Sequence, residues 1–135
     1  YIDLEYSTEL ALAKYWKQLQ PMDKKLFERD IKTTLINEYI NSLVNMENWN
    51  NISITVDKNL SQYNNLAEVK VFSTLENENI NVTVILKMIR KDRWRIYDLV
   101  YQSLSIVDFL EYSYDEKIKR EGSLEKILTK LLDRT

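Results

Sequence analysis

The sequence predicts an α+β fold: a four-stranded antiparallel sheet with helices packed on one face, in the order α-α-β-β-β-β-α-α. Three observations carry this reading. Apolar residues recur at intervals of three and four near both ends of the chain, they alternate with polar residues through the middle, and the breaks between alternating segments are short enough to favour antiparallel neighbours. With 135 residues, one glycine and one proline, the chain has no linker-like stretch, so residues 1–135 read as one domain.

The first helical segment runs from Thr8 to Leu19, with Leu12, Tyr15, Trp16 and Leu19 at helical spacing and Ser7 and Thr8 as candidate caps. Pro21 suits the first position of a second helix. From Met22 to Met46 one stripe passes through Phe27, Ile31, Leu35, Tyr39 and Leu43, and an adjacent one through Ile36, Ile40 and Val44. That face is wider than one partner helix needs.

Past the Asn-rich turn from Asn48 to Asn51 the period falls to two. Ile52, Ile54 and Val56 alternate with Ser53 and Thr55; Val69, Val71 and Leu75 with Glu68, Lys70 and Thr74; and Ile80, Val82, Val84, Leu86 and Met88 with Asn81, Thr83 and Lys87. A fourth strand, Arg93 to Ser103, carries Trp94, Ile96 and Val100 on one side. Parity tests the pairing, because residues opposite each other share a face. Strands two and three need an even loop, which Glu76 to Asn79 supplies; strands three and four need an odd loop or a bulge, and Lys91, Asp92 and Arg93 supply the odd loop. One face is then almost wholly aliphatic. The other mixes Lys70, Asn81, Thr83, Lys87 and Arg95 with Phe72, Ile85, Tyr97 and Leu99. Helical spacing returns from Ser105 through Ile106, Phe109, Leu110, Tyr114 and Ile118. Gly122 suits a left-handed C-cap and Ser123 the next N-cap, ahead of a last helix striped by Leu124, Ile127, Leu128, Leu131 and Leu132.

Histidine and cysteine are both absent, which removes the common zinc sites, Cys or His nucleophiles, disulfides and the neutral-pH proton shuttle. A formal charge of −2 and a pI near 5.3 oppose a nucleic-acid function. No apolar run reaches the ~20 residues that cross a bilayer. The chain begins at Tyr1 without Met or a targeting segment, as expected of a processed or trimmed protein. Among the acids Asp98 stands out, since strict alternation puts it on the aliphatic face between Ile96 and Val100. A buried carboxyl with a raised pKa could act as a general base; a bulge that turns it outward, or a hydrogen bond to the start of the Ser105 helix, are the structural readings. No second catalytic group is placed with it by spacing. The surplus of aliphatic surface likewise fits either a filled core or a hollow for a greasy ligand, and periodicity does not separate them.

Two stretches carry a family resemblance. From Glu9 to Met46 a short helix ending in Tyr15-Trp16, a Pro21 turn and a long helix with Phe27, Ile31, Leu35 and Tyr39 occur in succession; from Arg93 to Leu131 come Trp94, Tyr97, Asp98 and Ser105, then a turn with Gly122 and a closing helix. This order and spacing resembles the MlaC family, the phospholipid-binding proteins of the maintenance-of-lipid-asymmetry pathway, also called the toluene-tolerance auxiliary family. Departures fall at Gln102-Ser103, where the family has Glu-Gly, at the Gln20 to Asp23 turn, and at Glu111, often Arg in the family. The resemblance implies a curved, NTF2-like sheet and a soluble periplasmic carrier, not an enzyme, with no cofactor beyond phospholipid as bound cargo. It implies partners as well: an inner-membrane ABC transporter complex with its MCE-type substrate-binding subunit, and an outer-membrane lipoprotein complex. A monomer that binds no nucleic acid is expected.

Burying a chain of about sixteen carbons is worth ~12 kcal/mol at ~0.8 kcal/mol per methylene, so an aliphatic wall can replace the bilayer interior while the costly phosphate stays at the mouth. The expected wall is Ile54, Val56, Val69, Val71, Val82, Val84, Leu86, Met88, Trp94 and Ile96, closed by Leu35, Tyr39, Phe109 and Leu110. The rival readings are a protein-interaction scaffold with a filled core and a small-molecule enzyme using Asp98. Asp57 to Ser61 also matches a bacterial glycosylation acceptor centred on Asn59.

Overall fold

The computed structural model of the protein describes residues 2–35, 37, 52–56, 61–75 and 80–134. Outside them lie Ile36, Tyr39, Ile40, Leu43 and Val44 of the expected long helix, the Asn48 to Asn51 turn, Asn59 of the acceptor motif and the loop Glu76 to Asn79. The chain forms two compact units, Tyr1–Asp3 with Leu43–Ile106 and Leu4–Ser42 with Val107–Thr135.

The first unit is an antiparallel sheet of β1 (Ile52–Val56), β2 (Ser61–Tyr63), β3 (Leu66–Leu75), β4 (Ile80–Arg90), β5 (Trp94–Tyr101) and β6 (Leu104–Ser105). Spatial order is β1-β3-β4-β5-β6, with β2 also paired to β3. The sheet thus has six strands where alternation predicts four. The two additions are too short to show a period: Ser61–Tyr63 returns through a tight turn at Asn64-Asn65, and Leu104–Ser105, just past the predicted fourth strand and including the residue expected to start the next helix, folds back onto that strand. The β3–β4 pairing keeps the predicted parity, as does the β4–β5 pairing where it starts. Leu75 lies opposite Ile80, and Arg90 opposite Trp94 with three residues between. That three-residue turn is held by the Lys91 N–H on the Arg93 carbonyl at 3.0 Å and by Arg95 Nη2 on Asp92 Oδ1 at 2.7 Å.

The second unit is helical: α1 (Leu4–Leu12), a 3₁₀ segment (Ala13–Gln18), α2 (Pro21–Leu35), α3 (Ile106–Glu121, of which Ile106 belongs to the sheet unit) and α4 (Leu124–Asp133). The first helix starts earlier than its caps predict. Ser7 and Thr8 are buried inside it, and the Thr8 hydroxyl donates to the Leu4 carbonyl at 2.6 Å instead of capping. Ala13, at φ 48°, ends the α-helix, and the chain from there to Gln18 tightens into 3₁₀ geometry. Pro21 opens α2, and the Asp23 carboxylate accepts the Gln20 N–H at 3.2 Å, half of a capping box. Gly122, at φ 96°, sits left-handed after α3, and Ser123 Oγ accepts the Lys126 N–H at 3.3 Å to cap α4.

α2 packs against α1 and α4. Phe27 and Ile31 are 0% exposed, and Phe27 meets Tyr114 edge to face at 5.4 Å between ring centroids. The buried stripe of α3 is Val107, Leu110, Tyr114 and Ile118; Phe109, expected with it, is 45% exposed.

Gln102 and Ser103 join β5 to β6 in a two-residue turn, both with positive φ (51° and 64°), the arrangement for which glycine is suited in the second place. Ser103→Gly therefore raises stability by about 1 kcal/mol, read as a higher urea midpoint at unchanged slope.

Candidate functional site

The sheet register sets which side chains share a face. Val69 lies opposite Leu86, Val71 opposite both Val84 and Val56, Ser73 opposite Val82 and Ile54, and Met88 opposite Ile96. Between Lys87 and Met88 the pairing with β5 slips: Lys87 faces Asp98, but Met88 faces Ile96, so Tyr97 is the extra residue of a bulge. The bulge inverts parity. Trp94 and Ile96 belong to the aliphatic face on one side of it, Leu99 and Tyr101 on the other, while Asp98 and Val100 move to the mixed face with Lys87 and Ile85.

This corrects the strict alternation that put Asp98 and Val100 among the aliphatic residues and Leu99 among the polar ones. Asp98 is 6% exposed, and its carboxylate accepts the Leu99 N–H at 2.8 Å and the Ser105 hydroxyl. The expected bulge is present but moves Asp98 to a buried place on the other face and not outward to water, and the expected hydrogen bond ties it to the residue before α3. Two residues earlier, the Ile96 carbonyl accepts the Asp3 N–H at 2.8 Å, and the buried Asp3 carboxylate meets Lys91 at 2.5 Å.

The aliphatic face is not sealed. Val69, Val71, Val82, Val84, Leu86, Met88, Trp94 and Ile96 are all half-buried, as is Leu99, and Val56 is 52% exposed. Ala67 alone of the described residues on this face is buried. The contrast is with Phe27 and Ile31 of the helical unit, which water does not reach. At one end of the sheet Val82 joins Ile85, Val100 and Tyr101 along an open depression of about 380 Å³.

In the helical unit Leu35 is half-buried, and Phe109 and Leu110 line a groove of about 280 Å³ beside Tyr114. The Tyr114 hydroxyl donates to Asp30 at 2.6 Å, and Arg134 Nη1 stands 3.4 Å from the same carboxylate. Burial and the neighbouring Asp30 charge push the Tyr114 phenol far above its ordinary value. On the opposite flank of α3, Asp115 accepts the Tyr15 hydroxyl at 2.7 Å and pairs with Lys119 at 2.9 Å; the Lys119 contact first, then Tyr15, holds its carboxyl below the usual range. Among the described residues no group of three or more acids could hold a metal ion, and no helix is long and apolar enough to cross a membrane.

The sequence reading missed Leu99 and Tyr101 of the aliphatic face. Their signal is the odd step of three from Ile96 to Leu99, which a bulge requires and an odd loop does not. Tyr39 falls outside the described residues, and for Ile54 only its place in the register is described.

Fold and site define a small α+β protein whose antiparallel sheet presents an incompletely covered aliphatic face. The MlaC protein family matches residues 1–133, and the chain belongs to that family. Among solved structures it is similar to a phospholipid-binding protein from Ralstonia solanacearum, determined in complex with a phospholipid, with a TM-score of 0.82 and 18% identity over 98% of this chain and 73% of that one. That likeness establishes the shared fold. No curated protein matches the chain.

The folded protein holds the Tyr114 proton more tightly than the unfolded chain does. Stability from this residue is complete below the ordinary tyrosine pKa of about 10 and is lost as pH rises above it. Tyr114→Phe should lower stability by about 1–3 kcal/mol at neutral pH, through the lost bond to a charged acceptor, and shrink the fall in melting temperature seen between about pH 9.5 and 11.5. Thermal melts of both proteins across that range check it.

Proposed function

We propose that the protein is a periplasmic phospholipid carrier, a single lipid-binding domain over residues 1–135 that takes acyl chains into an apolar cavity and does no chemistry on them. The observation that carries this reading is the half-open aliphatic face. Eight Val, Leu, Ile, Met and Trp side chains sit in register on it without being sealed from water. Each ~25 cal/mol per Å² of apolar surface still wet is stabilisation that a bound alkyl chain can supply. Membership of the MlaC family and the phospholipid in the Ralstonia solanacearum relative support the same cargo.

The wall comprises Ile54, Val56, Val69, Val71, Val82, Val84, Leu86, Met88, Trp94 and Ile96, with Leu35, Tyr39, Phe109 and Leu110 closing it. Leu99 extends it past the bulge. Asp98 ties β5 to Ser105, and the carrier reading gives it this structural duty in place of the general base of the enzymatic alternative. As a monomer the carrier exchanges lipid between an outer-membrane lipoprotein complex and an inner-membrane ABC transporter complex with its MCE-type subunit. It needs no cofactor, and no energy source of its own: binding equilibria follow the chemical potentials of lipid at the two ends.

Solvent extraction of protein never exposed to detergent should recover phospholipid near one molecule per chain, and removing it should lower the melting temperature. Lipid-free protein with an unchanged melting temperature would overturn the proposal. Leu86→Trp and Val84→Trp should block lipid uptake with the fold kept, as judged by circular dichroism and native mass spectrometry. In a filled core either change would instead overpack and cost about 1–3 kcal/mol or more.

A further inference from the structure

The groove of about 280 Å³ in the helical unit has a chemistry of its own. Its floor is apolar: Leu110 is buried, the Tyr114 ring is anchored on Phe27, and Phe109 beside them is left 45% exposed. Thr34, Ser113 and Lys117 line it as well. The Lys117 ammonium stands 5.5 Å from the Tyr114 ring centroid, over the floor, and joins no ion pair among the described residues. The acid lining the groove, Asp30, is engaged by Tyr114 at 2.6 Å and by Arg134 at 3.4 Å and not by Lys117.

We infer that this groove binds the polar end of an anionic amphiphile, with a phosphate group on Lys117 and the first methylenes of its tail on Phe109 and Leu110. An inorganic anion would leave the apolar floor wet, and a neutral alkyl ligand would leave the ammonium unmatched. The identification of the amphiphile as a phospholipid rests on the carrier reading; the groove's preference for an anion with an apolar tail does not.

The test is a titration of the delipidated protein with octyl phosphate, octyl glucoside and inorganic phosphate, monitored by amide chemical shifts. Octyl phosphate should shift the Phe109, Leu110 and Lys117 signals. Octyl glucoside should bind about tenfold more weakly, since one charge-assisted contact is lost. Lys117→Gln should lose about the same factor for octyl phosphate while Lys117→Arg keeps the affinity; Lys117 is exposed, so both variants should fold. Equal affinity of wild type and Lys117→Gln for octyl phosphate would overturn the inference. Inorganic phosphate binding as tightly as octyl phosphate would overturn it too, and mark a free-phosphate site. Octyl phosphate binding here to a protein that purifies without lipid would uphold the groove and remove the carrier. Lipid retained with Lys117→Gln indistinguishable from wild type would do the reverse.

Discussion

One extra residue in β5 governs the site. Without the bulge at Tyr97, alternation from Trp94 would put Asp98 against Leu86 on the aliphatic face, a buried charge in an apolar wall with no hydrogen-bond partner beside it. With it, Leu99 takes that place, and Asp98 turns to the face where Ser105 and its own neighbour's N–H satisfy it. The same inversion therefore keeps the wall apolar along its length and fixes the residue from which α3 departs.

The two units handle apolar surface differently. In the helical unit Leu12, Phe27 and Ile31 are shut off from water, and an edge-to-face ring pair locks α2 to α3. In the sheet unit the cross-strand aliphatic pairs stop at half burial. A protein selected for stability alone would fill that face, since packing a core to native density is within reach of ordinary side chains. On the proposed carrier reading, a face left at half burial suits a guest whose length and saturation vary, because a fluid chain adapts to the wall while a jigsaw core accepts only one shape.

Much of this was legible in the sequence. Period-two alternation located β1, β3, β4 and β5; loop parity gave the Leu75 and Arg90 registers; and Gly122 and Ser123 marked the α3 to α4 corner because both act through local backbone chemistry. What escaped was structure whose cause is not local. Strands of two and three residues carry no period, so β2 and β6 were invisible. Odd parity admits either an odd loop or a bulge, and this sheet uses both, which alternation counted from one end does not reveal. Thr8 has the identity of a cap, but its environment made it a buried hydroxyl bonded to Leu4. Phe109 fits the helical stripe by spacing, yet the stripe centres one position away on Val107 and Leu110.

The Asp3 and Ser105 attachments have a mechanical corollary. The chain passes between the units three times, and at two of these passages, after Asp3 and after Ile106, the residue at or just before the passage is fastened to β5, at Ile96 and at Asp98. Tension along either thread is borne by rungs of one strand separated by a single residue. A disturbance that peels this strand from its neighbour would slacken both tethers together, so detachment there would behave as one concerted event instead of two separate frayings.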